Sequence, residues 1–194
     1  MDELNLNQLM EQLQSDDPNV RTDAWQSAST VGAQALKPLA KLMVEGELEV
    51  GRAAKRGMWK IVRTAGAPGH DAYRKDAERE LIGLIANDQP NSVRREVFWM
   101  LSEIGGNNTV DAIRDIEGIL NNEALRDDAR CCVQRIPTQY AVDTLREALE
   151  EAPREAQLLI AQALRKRGVQ VSEEQYPCQK LVPTKKTKVK PVGR

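Results

Sequence analysis

Apolar residues at offsets 0, 4, 8 and 11, followed by Gly or Pro at offset 12, recur along this 194-residue chain. The runs are Val20, Ala24, Ala28, Val31 before Gly32; Ala54, Met58, Val62, Ala65 before Gly66; Val93, Val97, Leu101, Ile104 before Gly105; and Leu125, Ala129, Val133, Ile136 before Pro137. A fifth, Ala156, Ile160 and Leu164, ends at Gly168. Such offsets fall on one face of a helix with 3.6 residues per turn, and the Gly or Pro supplies a C-terminal stop. The starts lie 34, 39, 32 and 31 residues apart, the length of one helical hairpin. Self-similarity at that period, with each unit burying its apolar face against the next, specifies a solenoid.

A second amphipathic segment precedes each of these inner helices, at 4–14, 35–44, 71–86, 110–121 and 140–151. Its apolar residues fall three or four apart, as in Leu36, Leu39, Ala40 and Met43, so it can bury one stripe against its partner. With only 4% aromatic residues, the helical layers must be thin and closely packed. The expected fold is all-α, a right-handed α-solenoid of about five antiparallel helical hairpins over residues 1–168. Residues 169–194 are rich in Pro and Lys and are expected to be a largely disordered tail, with 176–182 able to pack on the last repeat.

The run Asp16-Asp17-Pro18-Asn19-Val20-Arg21, with Ala24, Ala28 and Val31-Gly32 after it, resembles the HEAT repeat, and Val93-Arg94 through Ile104-Gly105 resembles it again. The resemblance to HEAT-like and PBS-lyase-type repeats covers residues 4–168 and is strongest in repeats one and three. Repeat four keeps Leu125-Arg126, with Asn121-Asn122 where the family favours Asp, while repeat two has Lys55 and lacks the acid. Repeat five has Arg167 where an apolar residue belongs. The resemblance therefore implies an inter-repeat polar ladder that is interrupted at repeats two and five.

Charge is unevenly distributed. Lys180, Lys185, Lys186, Lys188, Lys190 and Arg194 stand in the last twenty residues with no acid among them, so a whole-chain net charge of -1 leaves the body at -7. Such a tail can attract nucleic-acid phosphate or anionic lipid, fold back on the acidic body, or serve only as a solubilising terminus. Met1 to Leu13 lacks the basic start and apolar run of a secretory signal, and no segment nears the roughly 18 apolar residues of a membrane span. The expectation is a cytoplasmic protein with reduced thiols, since three cysteines and one histidine form neither a disulfide framework nor a metal-ligand set.

At about 100° per residue, offsets 0, 4, 7, 8 and 11 face the core and offsets 2, 6 and 9 face away. The outward set is Arg56, Lys60 and Arg63 in repeat two, and Arg95, Trp99 and Ser102 in repeat three. Stacked side by side, these residues form one basic patch with an indole on the concave wall. Guanidinium groups pair with carboxylate or phosphate in a fixed fork and Trp supplies rigid contact area, so Arg56, Lys60, Arg63, Arg95 and Trp99 are the candidate partner-binding residues. A solvated helix face that happens to carry one Trp is the plainer alternative.

Trp25, Trp59 and Phe98 share offset 5, at the edge of the stripe, where they can stack a bound group or wedge adjacent repeats apart. His70 sits in the inserted loop Ala67-Pro68-Gly69-His70 with no nucleophile or carboxylate constellation around it. Cys132 falls at a core offset and Cys131 at an outward one. No phosphate loop, HExxH or GxSxG occurs. The expected function is a non-catalytic, cofactor-free scaffold or adaptor that binds an acidic or phosphorylated protein segment, with nucleic acid a further partner through the basic tail. Two other classes stay open: a bilin-lyase-like enzyme subunit, and a HEAT-like nucleic-acid or DNA-repair protein using Trp99, Arg95 and Asp127. Neither the partner's identity nor the oligomeric state follows from the sequence.

Overall fold

Local chemistry fixes where the first helices begin in the computed structural model of the protein, which describes residues 4–178 apart from the Leu120 side chain. The Asn5 side chain accepts from the Gln8 N–H and the Gln8 side chain accepts from the Asn5 N–H, both at 3.0 Å, a capping box that opens α1 (Leu6–Leu13). Asp17 accepts from the Asn19 N–H at 2.8 Å ahead of α2 (Pro18–Val31), whose first residue is the Pro that has no N–H to leave unpaired. The other helices are α3 (Leu36–Glu45), α4 (Leu48–Ala65), α5 (Asp71–Ile82), α6 (Asn91–Ile104), α7 (Asn107–Arg114), α8 (Arg126–Arg135), α9 (Gln139–Glu151) and α10 (Arg154–Lys166). They form five hairpins, and no strand occurs among the described residues.

Each even-numbered helix packs on the next, α2 on α4, α4 on α6, α6 on α8 and α8 on α10, so the chain is an α-solenoid with an inner row and an outer row. The stripes are the core: Ala54, Met58, Val62 and Ala65, then Val93, Val97, Leu101 and Ile104, are all buried, as are their counterparts on α8 and α10. Val20 is the exception, only half-buried because α2 begins the row and has no inner helix before it. One further expectation is corrected: Ser102 is buried instead of outward, with its hydroxyl donating to the Trp99 carbonyl at 2.7 Å. Phe98, at the edge of the stripe, is fully buried, as a wedge between repeats requires.

The repeat punctuation works by more than one means. Gly32 has φ +85°, a left-handed conformation that favours glycine, and it turns the chain from α2 into a 3₁₀ turn at Ala33–Ala35. Gly105 is extended, but a Cβ there would lie 2.6 Å from both the Leu101 carbonyl oxygen and Thr109 Oγ1, so close approach demands glycine. The outer segment expected at 110–121 is broken: α7 stops at Arg114, and Gly118, at φ +73°, redirects the chain into a 3₁₀ turn at Ile119–Asn121. The segment expected to reach residue 86 stops at Ile82.

Arginine at offset 1 explains why repeats one and three look most alike. Arg21 Nη1 donates to the Ser15 carbonyl at 2.6 Å, and buried Arg94 donates through Nε to the Ile85 carbonyl at 3.0 Å. Each clasps its inner helix to the end of the outer helix before it. Burial lowers the Arg94 pKa, but an arginine remains charged and keeps its carbonyl satisfied. Arg167, which replaces an apolar residue in the last stripe, spans to the end of α8 instead, where Nη1 donates to the carbonyls of Gln134 and Ile136 at 2.8 and 2.6 Å. A cation at a helix C-terminus meets the negative end of its dipole.

Past Gly168 the chain folds back over α10. Arg165 Nη2 donates to the Ser172 and Tyr176 carbonyls at 3.2 and 2.5 Å, Tyr176 is buried, and the Arg154 guanidinium lies 5.4 Å from its ring centroid. Packing thus runs past the glycine stop to Tyr176 and covers a face of the last repeat. Lys180 and the other tail cations lie outside the described residues.

Tyr73 on α5 makes the longest reach across the first repeats, donating its hydroxyl to the Ser29 carbonyl near the end of α2 at 2.9 Å. Burial pushes its pKa from an ordinary 10 up to about 12. A folded-state pKa above the unfolded one means that this stabilisation is complete below about pH 10 and is lost as pH rises towards 12. Thermal melts of wild type should therefore fall more steeply over that window than melts of Tyr73→Phe; parallel profiles would show that the phenol does not carry the effect.

Candidate functional site

The inner row is tied together by polar rungs built from an acid at offset 3. Glu96 on α6 receives two donors from α4: Lys55 Nζ at 2.5 Å and Trp59 Nε1 at 2.6 Å. Asp128 on α8 receives two from α6: Arg95 Nε at 3.1 Å and Trp99 Nε1 at 3.0 Å. In each rung one carboxylate joins an indole N–H to a cation, and both oxygens are used. A carboxylate held by two donors fixes its neighbours' rotamers and orients both indoles.

This arrangement distributes the five expected residues over separate positions. Arg56 and Arg63 line a groove of about 520 Å³ between α2 and α4, together with Trp25, Trp59, Arg52 and Lys55. The Arg63 guanidinium sits 5.7 Å from the Trp59 ring centroid, within cation–π range. Lys60 is half-buried on the same helix. Arg95 is turned towards α8, where it also donates to the Ala124 carbonyl at 2.8 Å. Trp99 is exposed and borders a second recess of about 380 Å³ with Arg130, Arg135 and Lys166. Between the two lies a shallow recess of about 490 Å³ lined by Trp59, Arg63, Gly66 and Glu103, where α4 and α6 meet less extensively than α2 and α4 do.

Electrostatically the two ends of this face differ. Among the described residues no carboxylate lies within 4.0 Å of Arg56, Lys60 or Arg63, whereas Arg52 pairs with Glu49 at 2.6 Å and Lys55 with Glu96. In the second recess Arg135 pairs with Glu103 at 2.5 Å and Arg130 approaches Asp127 at 3.7 Å. On this face α4 thus carries three cations without a carboxylate within 4.0 Å among the described residues, and the second recess carries one, Lys166. The constellation of Trp99, Arg95 and Asp127 is corrected in one member: Asp128, not Asp127, meets both of the others.

Glu96 and Asp128 escaped the sequence reading, although Asp23, Glu96 and Asp128 all fall at offset 3 of their repeats. That recurrence is the signal that marks them. His70 is exposed and caps α5 without a side-chain bond, its ring edge-on to Tyr73 at 6.3 Å. Cys131 is half-buried and accepts from Arg130 Nη2 at 3.2 Å, while burial pushes the Cys132 thiol pKa far up and keeps it protonated. No group of three or more His, Cys, Asp or Glu side chains among the described residues is placed to hold a metal ion. No described helix is long and apolar enough to cross a membrane.

Neither a family model nor a curated protein matches the chain. Among solved structures it is similar to a designed armadillo repeat protein in complex with the peptide (KR)4, at 21% identity, covering 83% of this chain and 80% of that one with a TM-score of 0.43. It is also similar to computationally designed armadillo repeat proteins for modular peptide recognition, at 19% identity over 83% and 81% of the two chains, again with a TM-score of 0.43. The arrangement of ten α-helices among the described residues rests on the contacts within this molecule, which is a helical-repeat solenoid.

Proposed function

We propose that the chain is a HEAT-type, non-catalytic interaction module that holds an acidic or phosphorylated segment of a cytoplasmic protein partner on the open face of its inner helices. The observation that carries this is the α2–α4 groove, in which Arg56 and Arg63 flank the rings of Trp25 and Trp59 and have no carboxylate within 4.0 Å among the described residues. Cations left unpaired on an aromatic floor recognise carboxylate and phosphate by forked hydrogen bonds, and the rigid rings add contact area at little entropic cost. The solenoid supplies the surface, and the tail cations from Lys180 to Arg194 are available to nucleic acid.

Calorimetric titration of the full chain with polyglutamate and phosphoserine peptides tests this. Replacing Arg56, Arg63 and Trp99 together by Ala should weaken binding about 100-fold, two charge-assisted contacts each contributing about 1.5 kcal/mol. Binding should also weaken as salt is raised. An unchanged affinity in the triple variant, with its helicity intact, refutes the assignment.

A further inference from the structure

Of the four steps along the described inner row, α4–α6 and α6–α8 each carry an indole–acid rung, and α2–α4 has the indole without the acid. Trp59 and Trp99 each give their indole N–H to an acid on the following inner helix, Glu96 and Asp128. Trp25, at the same offset as Trp59, faces α4, where the offset-3 position is Gly57. Its Nε1 is buried and has no acceptor. A Cβ at position 57 would touch Ala28 Cβ and Leu39 Cδ1, each at 3.4 Å. With glycine there, this step lacks the acid that the next two steps carry, and a donor is left without a partner, an arrangement that costs stability.

Beside that donor stand the cations that would complete a rung. Arg56 lines the same groove as Trp25 and has no carboxylate partner among the described residues. In the completed rungs the bridging group is a side-chain carboxylate that takes one indole N–H and one cation. We propose that the α2–α4 groove is a carboxylate site, in which a Glu or Asp side chain of the bound segment takes the place of the missing acid, accepting from Trp25 Nε1 and pairing with Arg56. This rests on the acidic-segment reading of the face and narrows it to carboxylate at this step. Because Nε1 is closed to solvent, binding includes a rearrangement of the groove wall that opens it.

The chain has three tryptophans, so indole N–H resonances of the ¹⁵N-labelled full chain resolve the question directly. On adding a short polyglutamate peptide, the Trp25 signal should move downfield while those of Trp59 and Trp99, already bonded to Glu96 and Asp128, move little. Trp25→Phe keeps the ring and removes the N–H, and it should weaken polyglutamate binding about tenfold, the loss of one hydrogen bond to a charged acceptor. Polyglutamate that binds wild type while the Trp25 resonance stays fixed and Trp25→Phe binds equally well overturns the carboxylate rung and leaves the acidic-segment reading intact. A phosphoserine peptide that moves the Trp25 signal where polyglutamate does not also overturns it, in favour of phosphate. No binding of either peptide to wild type overturns both.

Discussion

Replacing Phe98 with alanine is expected to destabilise the solenoid by about 3–5 kcal/mol, the largest single-residue effect the structure supports. Phe98 is fully buried, and α6 packs against α4, α5 and α8, so the ring fills space at the centre of the row. Removing it leaves a cavity between repeats with partners on both sides, and in a solenoid those interface energies are what couple the repeats. Set against a typical total of about 5–15 kcal/mol, such a loss should convert one cooperative denaturation into early melting of the central repeats. Urea denaturation followed by far-ultraviolet circular dichroism measures it. Phe98→Leu should cost about 1–1.5 kcal/mol, and Trp99→Ala, one residue along and exposed, no more than about 1 kcal/mol. If Phe98→Ala and Trp99→Ala melted alike, the burial difference between these neighbours would be refuted.

Glu78→Ala should cost about 2–3 kcal/mol, because it strands a buried donor and a half-buried one at once. Glu78 on α5 is buried, and its Oε1 accepts from the Gly106 N–H at 2.8 Å and from the Thr109 hydroxyl at 2.7 Å. These donors belong to the start of α7, where the helix dipole favours a negative charge, so one carboxylate joins the third outer helix to the fourth. Thr109 is fully buried and has no water to turn to. Glu78→Gln retains an acceptor oxygen without the charge and should cost about half as much. The same denaturation series checks both. Equal stability of wild type and Glu78→Ala would mean that Gly106 and Thr109 find other acceptors.

The inner helices were the most legible part of the chain. Their stripes are long, punctuated and periodic, and burial of one face is a property of the helix itself, so angle alone placed Met58, Val97 and Leu101 correctly. Outer helices were less legible, because α7 ends at Arg114 and the chain is redirected at Gly118, which is left-handed, and no periodicity signals a φ angle. Ser102 failed as an angular assignment for a related reason: it is buried while Arg63, at the same offset on α4, is exposed, so angle within one helix does not say where its neighbours approach.

For the candidate site, the sequence located the cations and the exposed indole but not their partners. Arg95 and Arg56 are alike in the sequence, each an arginine at offset 2. One is bonded to Asp128, and the other has no carboxylate within 4.0 Å among the described residues. Which of the two remains available depends on the acid carried by the next helix, some thirty residues away in the chain, and on how closely the helices approach.

The sequence by itself determined the helical hairpin, its repetition and the buried face, since these follow from local periodicity and from stops within a few residues. The tertiary structure alone decided which polar groups are spent on holding repeats together and which are left over. Hydrogen bonds between repeats are short-range in space and long-range in sequence, so Trp59 and Trp99 acquire acceptors while Trp25, on the same face of an equivalent helix, has none.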